Sequence, residues 1–271
     1  MKTAKSPKAK VNGGAGASGA AQAARPTPRA RGPGRPGGTS QGLFSRESII
    51  ATSLELARHV PLHELSIVRA AQELDVTPGL IHYYMGGRDA LTSGVMNAFY
   101  RELVEAWPPL DGHWRRDLEV ICRAVYDAHA RYPGIAAYVV SHNKFRMVQR
   151  VVEGETDYGV LLFEKFTSAI KATGFDAART GVYTHLLNEF ITGYAQATAA
   201  HRWPREHAVF LDAMFAELDK RNFPAAHFVS KTFTKLDSTS AFETGLALFL
   251  NGLELERKRY RAAARQAGIK Q

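Results

Sequence analysis

Nothing in this chain of 271 residues is spaced for bond-making chemistry. Its histidines and acids show no metal spacing such as His-Glu-x-x-His, no glycine loop is built to cradle a phosphate, and Cys122 has no cysteine partner. No catalytic residue, metal or cofactor is therefore expected. The residues that can act do so by contacting a polyanion, and they cluster in LSIVRAAQELDVTPGLIHYYMGGRDAL, residues 65–91. Tyr83 and Tyr84 offer hydroxyls to phosphates or base edges, and Gly79 keeps the helix start beside them free of bulk. Arg88 stands ready as a phosphate clamp, and Ser66, Arg69, Thr77, Pro78 and Arg46 complete the expected DNA-contacting set.

Two short helices and a tight turn must position these side chains. Ser66 caps the first helix, which turns Ile67, Ala70, Ala71 and Leu74 inward. Asp75 takes a turn that requires a left-handed residue. Thr77 and Pro78 then serve as N-cap and first residue of the second helix, because Thr accepts from a free N–H and Pro gives up a donor that had no partner. Leu80 and Ile81 anchor that helix, Gly86-Gly87 ends it, and Asp89 complements the dipole of the next. The pattern is that of a helix-turn-helix presenting a recognition helix to the major groove.

Over residues 45–98 the chain resembles the TetR family of transcriptional regulators. The resemblance rests on Ile50, Leu54 and Ala57 in a preceding helix, then Leu65-Ser66, Ala71, Leu74-Asp75-Val76, Thr77-Pro78-Gly79, the tyrosine pair, and Arg88 before Leu91. The chain departs from the family at His82, Met85, Asp75 and Arg88, where Tyr, Phe, Gly and Lys are usual; Arg88 keeps the charge. The resemblance implies an all-α protein with two parts, a three-helix DNA-binding domain and a helical effector-binding and dimerisation domain.

The formal charge of +9 lies in one place. Residues 1–46 hold nine bases and no acid, so residues 47–271 sum to zero. Residues 1–44, rich in Gly, Ala and Pro, read as a disordered basic arm. Within it RGPGRPGG resembles a loose minor-groove hook through Arg31 and Arg35, with a solvated linker as the competing reading. Either form makes binding weaken with salt.

The DNA-binding domain is expected over residues 45–107, its last helix carrying Leu91, Val95, Ala98, Phe99 and Leu103 until Trp107-Pro108-Pro109 stops it. The second domain, residues 110–260, reads as all helix. Leu118, Ile121, Cys122, Val125, Tyr126 and His129 form one stripe that Tyr132-Pro133-Gly134 terminates. Further helices carry Ile135 to Val140; Leu162, Phe163, Phe166, Ala169 and Ile170; Tyr183 to Tyr194; and Leu211 to Leu218, with residues 222–239 read as a loop. Tyr126, His129, His142, Phe166 and Asn188 are candidate lining for a ligand cavity, core packing being the competing reading for each.

The last helix, residues 242–259, has two interior glycines, each costing roughly 1 kcal/mol relative to Ala, so close approach of another helix is expected. It resembles the final helix of the tetracycline-repressor type of C-terminal domain. That resemblance implies a homodimer interface of Phe242, Gly245, Leu246, Phe249, Gly252 and Leu253 with Leu187, Phe190 and Tyr194. Residues 261–271 read as a basic end.

One buried-type cysteine, no secretory signal and no apolar run of spanning length suit a cytoplasmic protein without a membrane partner. The expected function is a homodimeric regulator, most simply a repressor, that binds a palindromic double-stranded operator until a partly apolar small molecule releases it. The rivals are a nonspecific DNA-compacting protein driven by the basic arm, and a helical enzyme or ligand carrier with no DNA role.

Overall fold

The computed structural model describes residues 44–141 and 150–266, and among these the chain is helix and turn with no strand. α1 (Arg46–Leu56) begins at Ser45, whose hydroxyl accepts from the Ser48 N–H at 3.2 Å while the Ser48 hydroxyl accepts from the Ser45 N–H at 2.9 Å. This reciprocal cap satisfies two donors that a helix start otherwise leaves free. Its inner face is Ile49, Ser53, Leu54 and Ala57. Ile50, expected there, is half-buried and lies instead against Gly94 of the fourth helix.

α2 (Ile67–Glu73) is capped by Ser66 and buries Ala70 and Ala71. Asp75 sits at φ 51°, the left-handed turn expected of it. α3 (Pro78–Met85) turns Ile81 and Met85 inward, and Gly86 ends it at φ 74°. Leu80, expected as an anchor, is 36% exposed because it lies on the outer side of α3. Gly87 opens α4 (Arg88–Glu105), which buries Leu91, Val95, Met96, Phe99, Tyr100 and Leu103.

α5 (Trp114–Arg131) buries all six residues of its expected stripe. α6 (Pro133–Ser141) follows directly, and α7 (Tyr158–Lys171) buries Phe166, Ala169 and Ile170. Phe163, read as part of that inner face, is 44% exposed. α8 (Ala177–Ala199) packs across α5, α6 and α7. A short 3₁₀ turn at Pro204–His207 leads into α9 (Ala208–Glu217). α10 (Pro224–Phe233) occupies the stretch read as a loop: Pro224 is its first residue, a start signal that resembles a break when no buried face follows. α11 (Ser238–Gln266) closes the chain and runs past the expected Arg259.

α4 decides the architecture. It packs on α1 and α3 along one side and on α5 and α7 along the other. One continuous core consequently runs from Ile49 to Leu253 rather than two cores separated after α4.

Candidate nucleic-acid interface and the joint behind it

The helix-turn-helix is built as the residue types require. The Ser66 hydroxyl accepts from the Arg69 N–H at 3.1 Å, which fixes the start of α2. Thr77 holds N-cap geometry, but its hydroxyl makes no capping bond. Its carbonyl instead accepts from Leu80 at 3.0 Å and Ile81 at 3.4 Å, so Pro78 and the backbone, not the threonine side chain, start α3. The outer surface of α3 is open: Thr77, Pro78, Gly79, Leu80, His82, Tyr83 and Tyr84 are all exposed. Tyr83 is 81% exposed, and a Cβ at Gly79 would meet no atom within 4 Å.

Tyr84 is held more firmly. Its ring meets Phe44 edge-on at 5.3 Å and Tyr83 at 5.4 Å, which aims the phenols outward from a small aromatic base. Phe44 carries no signal in the sequence for this role, because it precedes the first helix. Arg69 and Arg88 are exposed, and the Arg88 guanidinium donates to the His63 carbonyl, which ties the start of α4 to the loop before α2. Arg46 already has a partner within the chain. Its guanidinium is ion-paired with Glu155, 109 residues away, and only 20% of its side chain is exposed. Arg31 and Arg35 lie outside the described residues.

Behind this surface lies a joint that the sequence reading did not isolate. Gly134, at the start of α6, donates its N–H to the Ala57 carbonyl at 2.9 Å and accepts from the Leu62 N–H at 3.1 Å. The turn between α5 and α6 is thereby threaded into the loop between α1 and α2. A Cβ on Gly134 would lie 2.1 Å from the Val60 oxygen and 2.6 Å from the Ala57 oxygen, so only glycine fits.

Tyr132 seals the joint. Its hydroxyl donates to the Glu102 carboxylate, with distances of 3.0 and 2.9 Å to the two oxygens, and accepts from Arg58 at 3.2 Å. The Arg58 guanidinium also stands 4.5 Å over the Tyr132 ring and bonds Glu55 at 2.6 Å. Burial, with the Glu102 hydrogen bond next, pushes the Tyr132 phenol up to about 12, so it stays a donor at neutral pH. Tyr132-Pro133-Gly134 reads in sequence only as a helix stop. Its partner Glu102 lies 30 residues earlier and Arg58 lies 74 earlier, and nothing local announces them.

A second tie runs from Asn97 of α4. Its amide accepts from the Tyr158 N–H at 2.9 Å and donates to the Thr156 carbonyl at 3.0 Å. A cleft of about 400 Å³ lies beside this tie, with Arg46, Ile50, Ala98, Arg101, Glu102 and Glu155 among its walls. None of the expected ligand residues lines it.

Three of those residues, Tyr126, His129 and Phe166, are packed in the core. Tyr126 stacks on Phe242 at 4.0 Å, and its hydroxyl pairs with Thr198 at 3.2 Å. His129 is buried, donates Nδ1–H to the Val125 carbonyl at 2.9 Å, and meets Phe99 edge-on at 5.0 Å; burial lowers its pKa. Phe166 is buried, Asn188 is half-buried on α8, and His142 lies outside the described residues.

Of the nine expected dimer residues, four face inward and the others are half-buried or, at Gly252, exposed. Leu187, Phe242, Leu246 and Leu253 are at most 3% exposed within this single chain. Gly245 does admit a close neighbour, but it is the chain's own α8: a Cβ there would lie 2.7 Å from the Phe190 ring and 3.1 Å from the Tyr194 hydroxyl. Phe249 packs on Phe190 at 6.0 Å. Gly252 has open space around it. The apolar side chains that α8 and α11 leave bare are Val182, Leu186, Leu248 and Leu255, on the opposite faces of those helices.

Among the described residues no group of His, Cys, Asp or Glu is placed to hold a metal ion, and no helix is long and apolar enough to cross a membrane. Burial raises the pKa of the Cys122 thiol, which leaves it in the protonated form that packs as an apolar group.

An all-helical chain with a capped helix-turn-helix at one end and a larger helical body behind it defines the class: a DNA-binding regulator of the helix-turn-helix type. The comparisons agree. The family model described as tetracyclin repressor-like, C-terminal domain, matches residues 108–257. The chain belongs to the TetR family of transcriptional regulators. Similar solved structures include apo ActR from Streptomyces coelicolor, at 22% identity and a TM-score of 0.63 over 79% of this chain and 98% of that one. The same organism's ActR in complex with (S)-DNPA gives 25% identity and 0.61 over 78% and 97%. SCO7222, also from Streptomyces coelicolor and described as a TetR, gives 22% and 0.60 over 78% and 97%. No curated protein matches the chain.

Proposed function

We propose that this regulator is a repressor that binds a two-fold symmetric operator as a homodimer and lets go when a small molecule occupies its helical body. The observation that carries the DNA reading is the outer face of α3: seven consecutive turn and helix positions apart from the inward Ile81 are exposed, on a helix fixed from beneath by Ile81 and Met85. A face that is polar, aromatic and bulk-free at its start suits the major groove, where side chains must reach base edges while Arg88 and Arg69 meet phosphates. Two copies are needed because half-sites one helical turn apart, roughly 34–36 Å, require recognition helices held at fixed spacing. ActR has been solved in complex with (S)-DNPA and with actinorhodin, which supports a small-molecule effector here.

Release follows from the placement of α4 and the joint. A ligand that favours a tilted α4 moves α3 with it, since Arg88 and Gly134 tie the reading unit to the body at two points. Only differential affinity does this; shifting a population from 99:1 to 1:99 takes about 5.5 kcal/mol. The cleft at Arg46, Ile50 and Glu102 lies between α1, α4 and the segment before α7, so a molecule bound there would act on α4 from the side of the reading unit rather than from within the body.

Selection of duplexes from a random-sequence pool by the full chain, at near-physiological salt, tests this reading. A two-fold symmetric site with constant half-site spacing is expected. Enrichment of nothing beyond general A-T content would replace it with nonspecific compaction driven by the nine bases before residue 47.

A further inference from the structure

The cleft beside the Asn97 tie has a charge pattern that its own residues leave uncompensated. Four carboxylates and two guanidiniums line it, an excess of two negative charges in a protein whose formal charge is +9. Both guanidiniums have partners: Arg46 is ion-paired with Glu155, and Arg101 reaches Glu105, outside the cleft, at 3.9 Å. Glu55 is bonded by Arg58 at 2.6 Å. Glu47 and Glu102 form no ion pair among the described residues and meet only neutral donors, the Ser45 hydroxyl for Glu47 and the Tyr132 hydroxyl for Glu102. The Ser45 bond holds the Glu47 carboxyl below the usual carboxylate range, so it is ionised at neutral pH.

These two carboxylates stand at opposite ends of the cleft. Glu47 is in the first turn of α1, whereas Glu102 shares the Tyr132 hydroxyl with Arg58, just past the other end of that helix. At 1.5 Å per helical residue the levels of Glu47 and Arg58 are roughly 16 Å apart along α1. Between them the floor is apolar. Leu54 is buried, Ile50 lies half-buried against Gly94, and Ala51 and Ala98 add little bulk. The Asn97 amide offers nothing there, because its side chain is engaged by Tyr158 and Thr156.

We propose that this cleft binds a linear diammonium of the polyamine type, with one ammonium at Glu47, the other at Glu102, and the methylene chain over Ile50, Leu54 and Ala98. Each carboxylate then gains a charged donor, and the chain covers apolar surface as a lysine stem does. An anion would meet two uncompensated carboxylates, and a monoamine would satisfy only one. The volume of about 400 Å³ is within the range of small-molecule sites. The site lies outside the helical body to which the proposed function assigns the effector, and it stands whether or not α3 reads DNA.

Isothermal titration calorimetry of the full chain at low salt and without DNA tests the proposal. Spermidine is the probe, butylamine the monocation control and suberate the dianion control. Glu47→Gln removes one charge and keeps the shape. Ala51→Phe, at an exposed position on the cleft wall, fills the space without changing charge. Circular dichroism checks the helicity of both variants. The expected result is one spermidine per chain, weaker binding of butylamine and no heat from suberate. Spermidine affinity should fall about fivefold in Glu47→Gln and be lost in Ala51→Phe. No saturable binding of spermidine by wild type would overturn the site. Full-strength binding by both variants would show diffuse attraction to surface carboxylates and overturn it equally, and butylamine binding as tightly as spermidine would overturn the two-ended ligand.

Discussion

Gly79 and Gly134 stand at the two extremes of what a glycine can mean. Around Gly79, on the outer face of α3, a Cβ would meet nothing within 4 Å; at Gly134 it would strike the Val60 oxygen at 2.1 Å. The tyrosines beside them differ in the same way. Tyr83 is 81% exposed, whereas the Tyr132 hydroxyl is held by Glu102 and Arg58. Both glycines leave room for something to approach closely. At position 134 that something is the chain's own backbone, and at position 79 it has to come from outside. On the proposed function, the contrast separates the residues that make the reading unit rigid from those that let it read.

If that separation holds, changes at the joint cost stability and changes on α3 cost DNA affinity. The largest effect is expected from Gly134→Ala. The methyl forces the α1–α2 loop and α6 apart and breaks two backbone hydrogen bonds, so a loss of about 3 kcal/mol in unfolding free energy is expected. Chemical denaturation measures it; an unchanged midpoint would show that the joint is not built as described.

The buried His129 behind the joint gives a pH signature. Its folded pKa is lowered by burial below the ordinary 6.5, so the folded chain binds fewer protons than the unfolded chain once pH falls below that value. This contribution to stability is intact above pH 6.5 and is lost as pH drops, at about 1.4 kcal/mol per unit until the folded group also protonates. The decline between pH 7.5 and 5.5 should be shallower in His129→Gln. Parallel curves for the two proteins would mean that another group carries the dependence.

A smaller effect belongs to the exposed side of the comparison. Arg88→Ala removes the bond to the His63 carbonyl and, on the proposed reading, one phosphate contact. Affinity for every duplex should fall by about 1 kcal/mol, with the slope of log affinity against log salt reduced by about one. A loss confined to one sequence would place Arg88 on a base instead.

How much of this could be read from the chain itself depends on the range of the contact. Period-3.6 patterning found the inner face of α5, and all six members of its stripe are buried. Asp75 and the Gly86-Gly87 pair announced their backbone angles because few residue types tolerate them. The same patterning could not say which way a doubly apolar helix faces. In α11 the stripe includes Phe242, Leu246 and Leu253, which the resemblance assigns to a partner; within this chain they fill its own core, while Leu248 and Leu255 point out. Long-range pairs were illegible altogether. Arg46 looks like a free cation next to a recognition helix until Glu155 is brought to it, and Gly134 looks like punctuation until Ala57 and Leu62 close on it. The α10 helix was missed for a related reason: its apolar residues are not buried in this chain, so they form no core stripe to find.

The central claim, that α3 reads DNA from a surface that does not hold the fold together, is tested most directly by Tyr84→Ala. Binding of wild type and variant to the selected operator and to an unrelated duplex of equal length would be followed by fluorescence anisotropy, with thermal unfolding of both proteins alongside. The account predicts at least about a tenfold loss on the operator, little change on the unrelated duplex, and an unfolding temperature within a few degrees of wild type. Operator affinity left intact, or lost only because the variant unfolds, would contradict it.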